Sequence, residues 1–126
     1  MADTSRLRPA FAAIIDGLMD ILREADARFV ITSAYRSSTE QGELYSKWLR
    51  EREDPEAARS VFTPLPPGRS QHERGFAVDI ARVGVPAETD VMLRELGAWW
   101  RSVGGVWGGD RDPVHFEAPK SWTGRG

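Results

Sequence analysis

Of all the stretches in this chain, Phe76-Ala77-Val78-Asp79-Ile80-Ala81 places the tightest limit on the fold. It alternates Phe, Val and Ile with Ala, Asp and Ala, the two-residue period of a strand with two unlike faces. One face can enter a core; the other is lined by small side chains and carries one carboxylate. Strands are poor in Asp, so Asp79 stands where there is room for something to meet it. Helical patterns lie on both sides of this strand, and a sheet combined with amphipathic helices must layer one against the other.

The first of those helices is predicted over 6–25, where Leu7, Phe11, Ile14, Ile15, Leu18, Ile21 and Leu22 recur every three or four residues. Phe29 to Thr32 form a short β-favouring run that delivers Arg36 at its C-terminal end. Ser37 or Ser38, with Glu40 or Gln41 three positions on, can cap a second helix ending near Arg52, with Gln41, Leu44, Tyr45 and Trp48 on one face. From Glu53 to Arg69 the prolines and Gly68 predict an irregular loop. A third helix is expected over 87–103, with Met92, Leu96, Trp99, Trp100 and Val103 as its apolar stripe and Gly104-Gly105 as its stop. A short strand is expected over 114–117 and a frayed tail from Lys120. The expected class is therefore α+β, a small antiparallel sheet with helices packed on one face and the site on the sheet's open side.

At 126 residues the chain has the size of one compact domain, 1–126. Its 17 Lys and Arg nearly balance 19 Asp and Glu, which argues against nucleic acid or an anionic membrane as the main partner. The N-terminal segment mixes charges with apolar residues at helical spacing, so neither a signal peptide nor a membrane span is expected. The chain has no cysteine, so any metal must be held by imidazole and carboxylate.

Three residues fit that requirement. His72 precedes Gly75, where the chain can turn into the strand carrying Asp79, and His115 lies in the last strand. Two histidines and a carboxylate leave a coordination position open for water, the arrangement of catalytic zinc. A base is then needed to take a proton from that water and return it to the leaving amine. Asp112, three residues before His115, is one candidate; Asp110 is its competitor, and spacing does not choose between them.

Taken in order, AYRSSTEQGEL (34–44), SQHERGFAVD (70–79), WWRSVGGVWGGD (99–110) and DPVHFE (112–117) resemble the zinc D-alanyl-D-alanine carboxypeptidases of VanY type and the related L-alanyl-D-glutamate endopeptidases of phage lysins. The resemblance implies Zn2+ as cofactor, with His72, Asp79 and His115 as its ligands and Asp112 as general base and acid. It implies that Arg36 meets the oxyanion, that Ser70 helps hold substrate, that Gln41 binds or supports, and that Glu117 is a supporting residue. It also implies a hedgehog/DD-peptidase fold and a peptidoglycan peptide as substrate, hydrolysed at the bacterial cell wall. A monomer is expected, with no nucleic-acid or membrane partner. Carboxypeptidase is the leading activity; an endopeptidase or a non-catalytic wall-peptide module are the alternatives. Asp110 and Asp112 are separated by Arg111 alone, which shortens one wall of the cleft relative to many lysin-like members.

Overall fold

The structure is a computed structural model that describes residues 4–54 and 64–123. Four strands, β1 (Phe29–Ser33), β2 (Ala77–Arg82), β3 (Val106–Trp107) and β4 (His115–Glu117), form one antiparallel sheet in the order β1-β2-β4-β3. Helices α1 (Pro9–Ala25) and α3 (Val91–Ser102) pack on one face, while α2 (Ser38–Glu53) borders the other through Gln41. The expected α+β layering is the observed one. Part of the predicted loop after α2, residues 55–63, lies outside the described residues.

The core is built by alternation. Val78 and Ile80 of β2, Phe116 of β4, and Phe29 and Ile31 of β1 meet Phe11, Ile15, Leu18 and Met19 of α1 and Leu93, Leu96 and Trp100 of α3. Because the period is two, Asp79, His115 and Glu117 necessarily point to the opposite face. The sheet thus buries its greasy side under α1 and α3 and presents three ionisable side chains on the other.

Both long helices differ in detail from their sequence pattern. α1 starts at Pro9, not near Arg6, because proline suits the first helical position, and the Arg8 N–H is taken by the Gly75 carbonyl at 3.0 Å. Ile14 and Ile21 lie outside its buried stripe and are exposed. α3 begins after Asp90, whose carboxylate accepts from the Met92 and Leu93 N–H groups; residues 87–89 form a separate 3-10 turn. Its buried stripe is Leu93, Leu96, Gly97 and Trp100, rotated from the expected one, so that Met92 and Val103 face solvent and Trp99 is 48% exposed. Adjacent tryptophans are about 100° apart on a helix and only one can enter the core. The two-residue β3 has too little sequence to show a period, and the tail expected to fray carries a short helix, α4 (Lys120–Thr123).

Candidate metal centre

Each candidate ligand is placed by a different local device. Asp79 sits on central strand β2, directly opposite Ser33 of β1 and His115 of β4. The β1 pairing shifts register between Ile31 and Ser33, a bulge of the kind that re-aims side chains. His72 stands in the turn before β2, which is held by hydrogen bonds from Glu73 N to Ser70 O, Gly75 N to His72 O and Phe76 N to Gln71 O. Gly75 closes that turn at φ 77°, where a side chain would also press on the Arg8 backbone of α1.

These devices bring one ligand atom each from His72, Asp79 and His115 within 4.8 Å of one another. Asp79 Oδ1 lies 3.3 Å from both His72 Nε2 and His115 Nδ1. The other nitrogen of each ring is committed: His72 Nδ1 donates to the Ala34 carbonyl at 2.8 Å, and His115 Nε2 donates to Glu117 Oε1 at 2.8 Å. Such contacts fix the tautomer and orient a ligand imidazole. His72 is 2% exposed, yet its Nε2 has no hydrogen-bond partner among the described residues. A buried lone pair aimed at two further donors fits a metal ion, and two imidazoles with one carboxylate fit zinc and leave a position open.

The electrostatics show the same demand for positive charge. Burial would raise the Asp79 carboxyl, but the His115 and His72 rings beside it outweigh that effect and hold the group well below the usual carboxylate range. Burial would lower His115, but Asp79 and Glu117 push it up to about 9. Without a metal, a proton supplies the cation that these carboxylates require.

Asp112 and Asp110 part company here. Asp112 lines the same cavity as His72, Asp79 and His115, its Oδ2 3.9 Å from His115 Nδ1, and burial raises its carboxyl. The Asp110 side chain is 85% exposed and pairs with Arg94 at 3.2 Å. The loop folds so tightly that Gly108 has no room for a side chain against the Asp112 carbonyl, and its N–H donates to the His115 carbonyl at 2.9 Å. The Asp112 carbonyl accepts from His115 N at 3.1 Å, which ties the two residues together through the backbone.

Arg36, Gln41, Ser70 and Glu117 also line this cavity, of about 110 Å³. Arg36 Nη1 donates to Gln41 Oε1 at 2.9 Å and Nη2 to Ser33 Oγ at 3.0 Å, with Asp79 Oδ2 3.8 Å away. Gln41 is fully buried and its amide nitrogen donates to the Leu65 carbonyl, so both ends are occupied. Ser70 Oγ accepts from the His72 N–H at 3.2 Å. Arg69 and Arg74, which flank the His72 turn, are exposed and do not line the cavity. Sequence reasoning missed Ser33 and the Ala34 and Leu65 carbonyls, since backbone acceptors leave no mark in a sequence, and it passed over Gln71, which lies between Ser70 and His72.

Comparison with known proteins agrees with this geometry. Residues 4–104 match the VanY family, D-alanyl-D-alanine carboxypeptidase; the match ends before Asp112 and His115, which the fold brings to the same cavity. No curated protein matches the chain. Among solved structures, VanYB in complex with D-alanine-D-alanine superposes with a TM-score of 0.69 at 20% identity, over 89% of this chain and 71% of that one. A mutant of a VanY D,D-pentapeptidase from a VanB-type vancomycin resistance cassette, in complex with Zn(II), also gives 0.69 at 20% identity, over 94% and 75%. The L,D-carboxypeptidase DacB from Streptococcus pneumoniae gives 0.64 at 19% identity, over 94% and 71%. These likenesses establish the fold. With four-fifths of its length matched, the chain belongs to the VanY D-alanyl-D-alanine carboxypeptidase family.

Proposed function

We propose that this chain is a zinc-dependent D,D-carboxypeptidase that hydrolyses the terminal D-alanine from peptidoglycan stem peptides. The observation that carries the reading is the convergence of His72, Asp79 and His115 beside a half-buried Asp112. His72, Asp79 and His115 hold the Zn2+, which when bound supplies a Lewis acid and a water of lowered pKa. Asp112 takes the proton of the attacking water and returns it to the leaving nitrogen, a task suited to a carboxyl whose proton affinity is raised by burial. Arg36 has five N–H donors and spends one on Gln41 and one on Ser33, leaving others for the oxyanion. Gln41 acts by steadying Arg36. Ser70 Oγ accepts a bond from the His72 backbone N–H, so its own O–H is available to a substrate carbonyl or carboxylate.

Family membership and the small cavity support a carboxypeptidase over an endopeptidase, since a D-alanine side chain is one methyl group and an endopeptidase needs a cleft open at both ends. VanYB was solved with D-alanine-D-alanine bound, whereas DacB is an L,D-enzyme, so the bond must be tested directly. Zinc-loaded protein is offered an N-acyl peptide ending in D-Ala-D-Ala, one ending in L-Lys-D-Ala, and intact cross-linked sacculi. Release of D-alanine from the first alone is the expected result. Full zinc occupancy with no hydrolysis of any of them would mark a wall-peptide-binding module instead.

A further inference from the structure

Two glutamines line the cavity, and they are in opposite states. Gln41 spends both ends of its amide on Arg36 and Leu65. Gln71 is 4% exposed, its Oε1 is wholly buried, and that oxygen has no hydrogen-bond partner among the described residues. Exchanging the two ends of the amide would orphan a donor in place of an acceptor, so a missing partner is indicated either way. Leaving such a group unpaired costs about 1–3 kcal/mol, and nothing in the fold recovers it. The Gln71 carbonyl accepts from the Arg74 and Phe76 N–H groups, which fixes the backbone of the turn between Ser70 and His72.

We infer that Gln71 is a substrate-binding residue whose carboxamide pairs with a peptide unit of the substrate, the amide just before the scissile bond on the acyl side. This rests on the carboxypeptidase reading above. A carboxamide offers one acceptor beside two donors and no charge, the complement of a peptide N–H and C=O rather than of an ammonium or a carboxylate. A carboxypeptidase substrate ends one residue after the bond that is cut. Its only peptide units besides the scissile one therefore lie on the acyl side. With charge in the cavity already supplied by Arg36, Asp79, Asp112 and Glu117, a neutral contact here favours an N-acylated peptide over a free dipeptide, which carries an ammonium at that position.

The test replaces Gln71 by Met, close in volume and without polar atoms. Removing an unpaired buried amide leaves the stability of the ligand-free protein unchanged or raised, while the KM for an N-acyl D-Ala-D-Ala peptide rises roughly tenfold. Zinc content stays at the wild-type level. A second probe is the same peptide methylated on the nitrogen just before the scissile unit: wild type discriminates against it and Gln71→Met does not. Calorimetric binding of both peptides gives the same comparison without turnover, so a wild type that binds but does not hydrolyse overturns the activity and not this contact. Loss of melting temperature in step with loss of binding would make Gln71 a packing residue. Unchanged peptide affinity in a variant of normal stability would mean that water satisfies the amide. Either result overturns the inference.

Discussion

Glu117 Oε1 accepts a hydrogen bond from His115 Nε2 at 2.8 Å, two residues along the same strand face. It thereby decides which nitrogen of His115 looks into the cavity: with Nε2 protonated and occupied, Nδ1 is the one that meets Asp79. Partners of this kind are typically worth 10–100-fold in metal affinity. Glu117→Gln keeps an acceptor but removes the charge, and it should weaken zinc binding by roughly tenfold while the fold persists. Competition against a chromophoric chelator measures the first and circular dichroism the second. An unchanged zinc affinity would make Glu117 a purely structural residue.

The contrast between Asp112 and Asp110 gives a paired prediction. Asp112→Asn preserves shape and removes the proton acceptor, so kcat should fall by roughly 10²–10⁴-fold with zinc content unchanged. Asp110→Asn removes a solvent-exposed partner of Arg94 and should leave kcat within about twofold, as surface ion pairs contribute little. Equal loss of zinc and turnover in Asp112→Asn would assign that carboxylate to the metal instead of to the proton.

Much of this site was legible in the sequence, for reasons that can be stated residue by residue. Alternation in β2 placed Asp79 on the face opposite Val78 and Ile80, and the expected strand over 114–117 is where β4 sets His115 and Glu117 beside it. Local chemistry was legible too: of the two capping pairs the sequence offered, Ser37 with Glu40 is the one that forms, with Ser37 Oγ accepting from Glu40 N at 3.1 Å. What stayed hidden depends on contacts between distant segments. Ile14 and Trp99 continue their helical stripes in sequence, but their neighbours Ile15 and Trp100 enter the core in their place, and Val103 lies at the cap beyond the last turn of α3. Which of Asp110 and Asp112 reaches the cavity depends on a tight loop over Gly108, and the Ala34 carbonyl that orients His72 has no residue-type signature.

Metal should be part of this protein's stability as well as of its chemistry. Three donors that converge only in the folded chain bind zinc to the native state alone, which raises stability by about 4 kcal/mol when free zinc is a thousandfold above its Kd. Chelation should lower the melting temperature and abolish hydrolysis, and added zinc should restore both. In His72→Ala, zinc should no longer shift the melting temperature while helical content remains. A persistent zinc-dependent shift in that variant would place the metal elsewhere.

A final prediction concerns acid, away from the metal. Arg82 at the end of β2 donates from Nε and Nη2 to Asp90 at 2.9 and 2.6 Å, and from Nη1 to Asp26 at 2.9 Å. It joins the sheet to the cap of α3 and to the end of α1. The Arg82 bonds lower the Asp90 carboxyl, and Arg28 with Arg82 lowers Asp26. A carboxylate whose folded pKa is depressed stabilises the protein fully above its unfolded pKa of about 3.9. That contribution is lost as pH falls from there through the folded value. Melting temperature should therefore be flat in this respect from neutrality to about pH 5 and decline below about pH 4. Arg82→Met strands the Asp90 carboxylate, whose side chain is almost wholly buried, and should lower the melting temperature at pH 7 by roughly 5 °C or more. Because protonation relieves the stranded charge while removing the wild type's advantage, the gap between the two proteins should narrow by pH 3. Thermal melts of both proteins across that range in metal-free buffer decide it, and a gap independent of pH would show that Arg82 acts through packing alone.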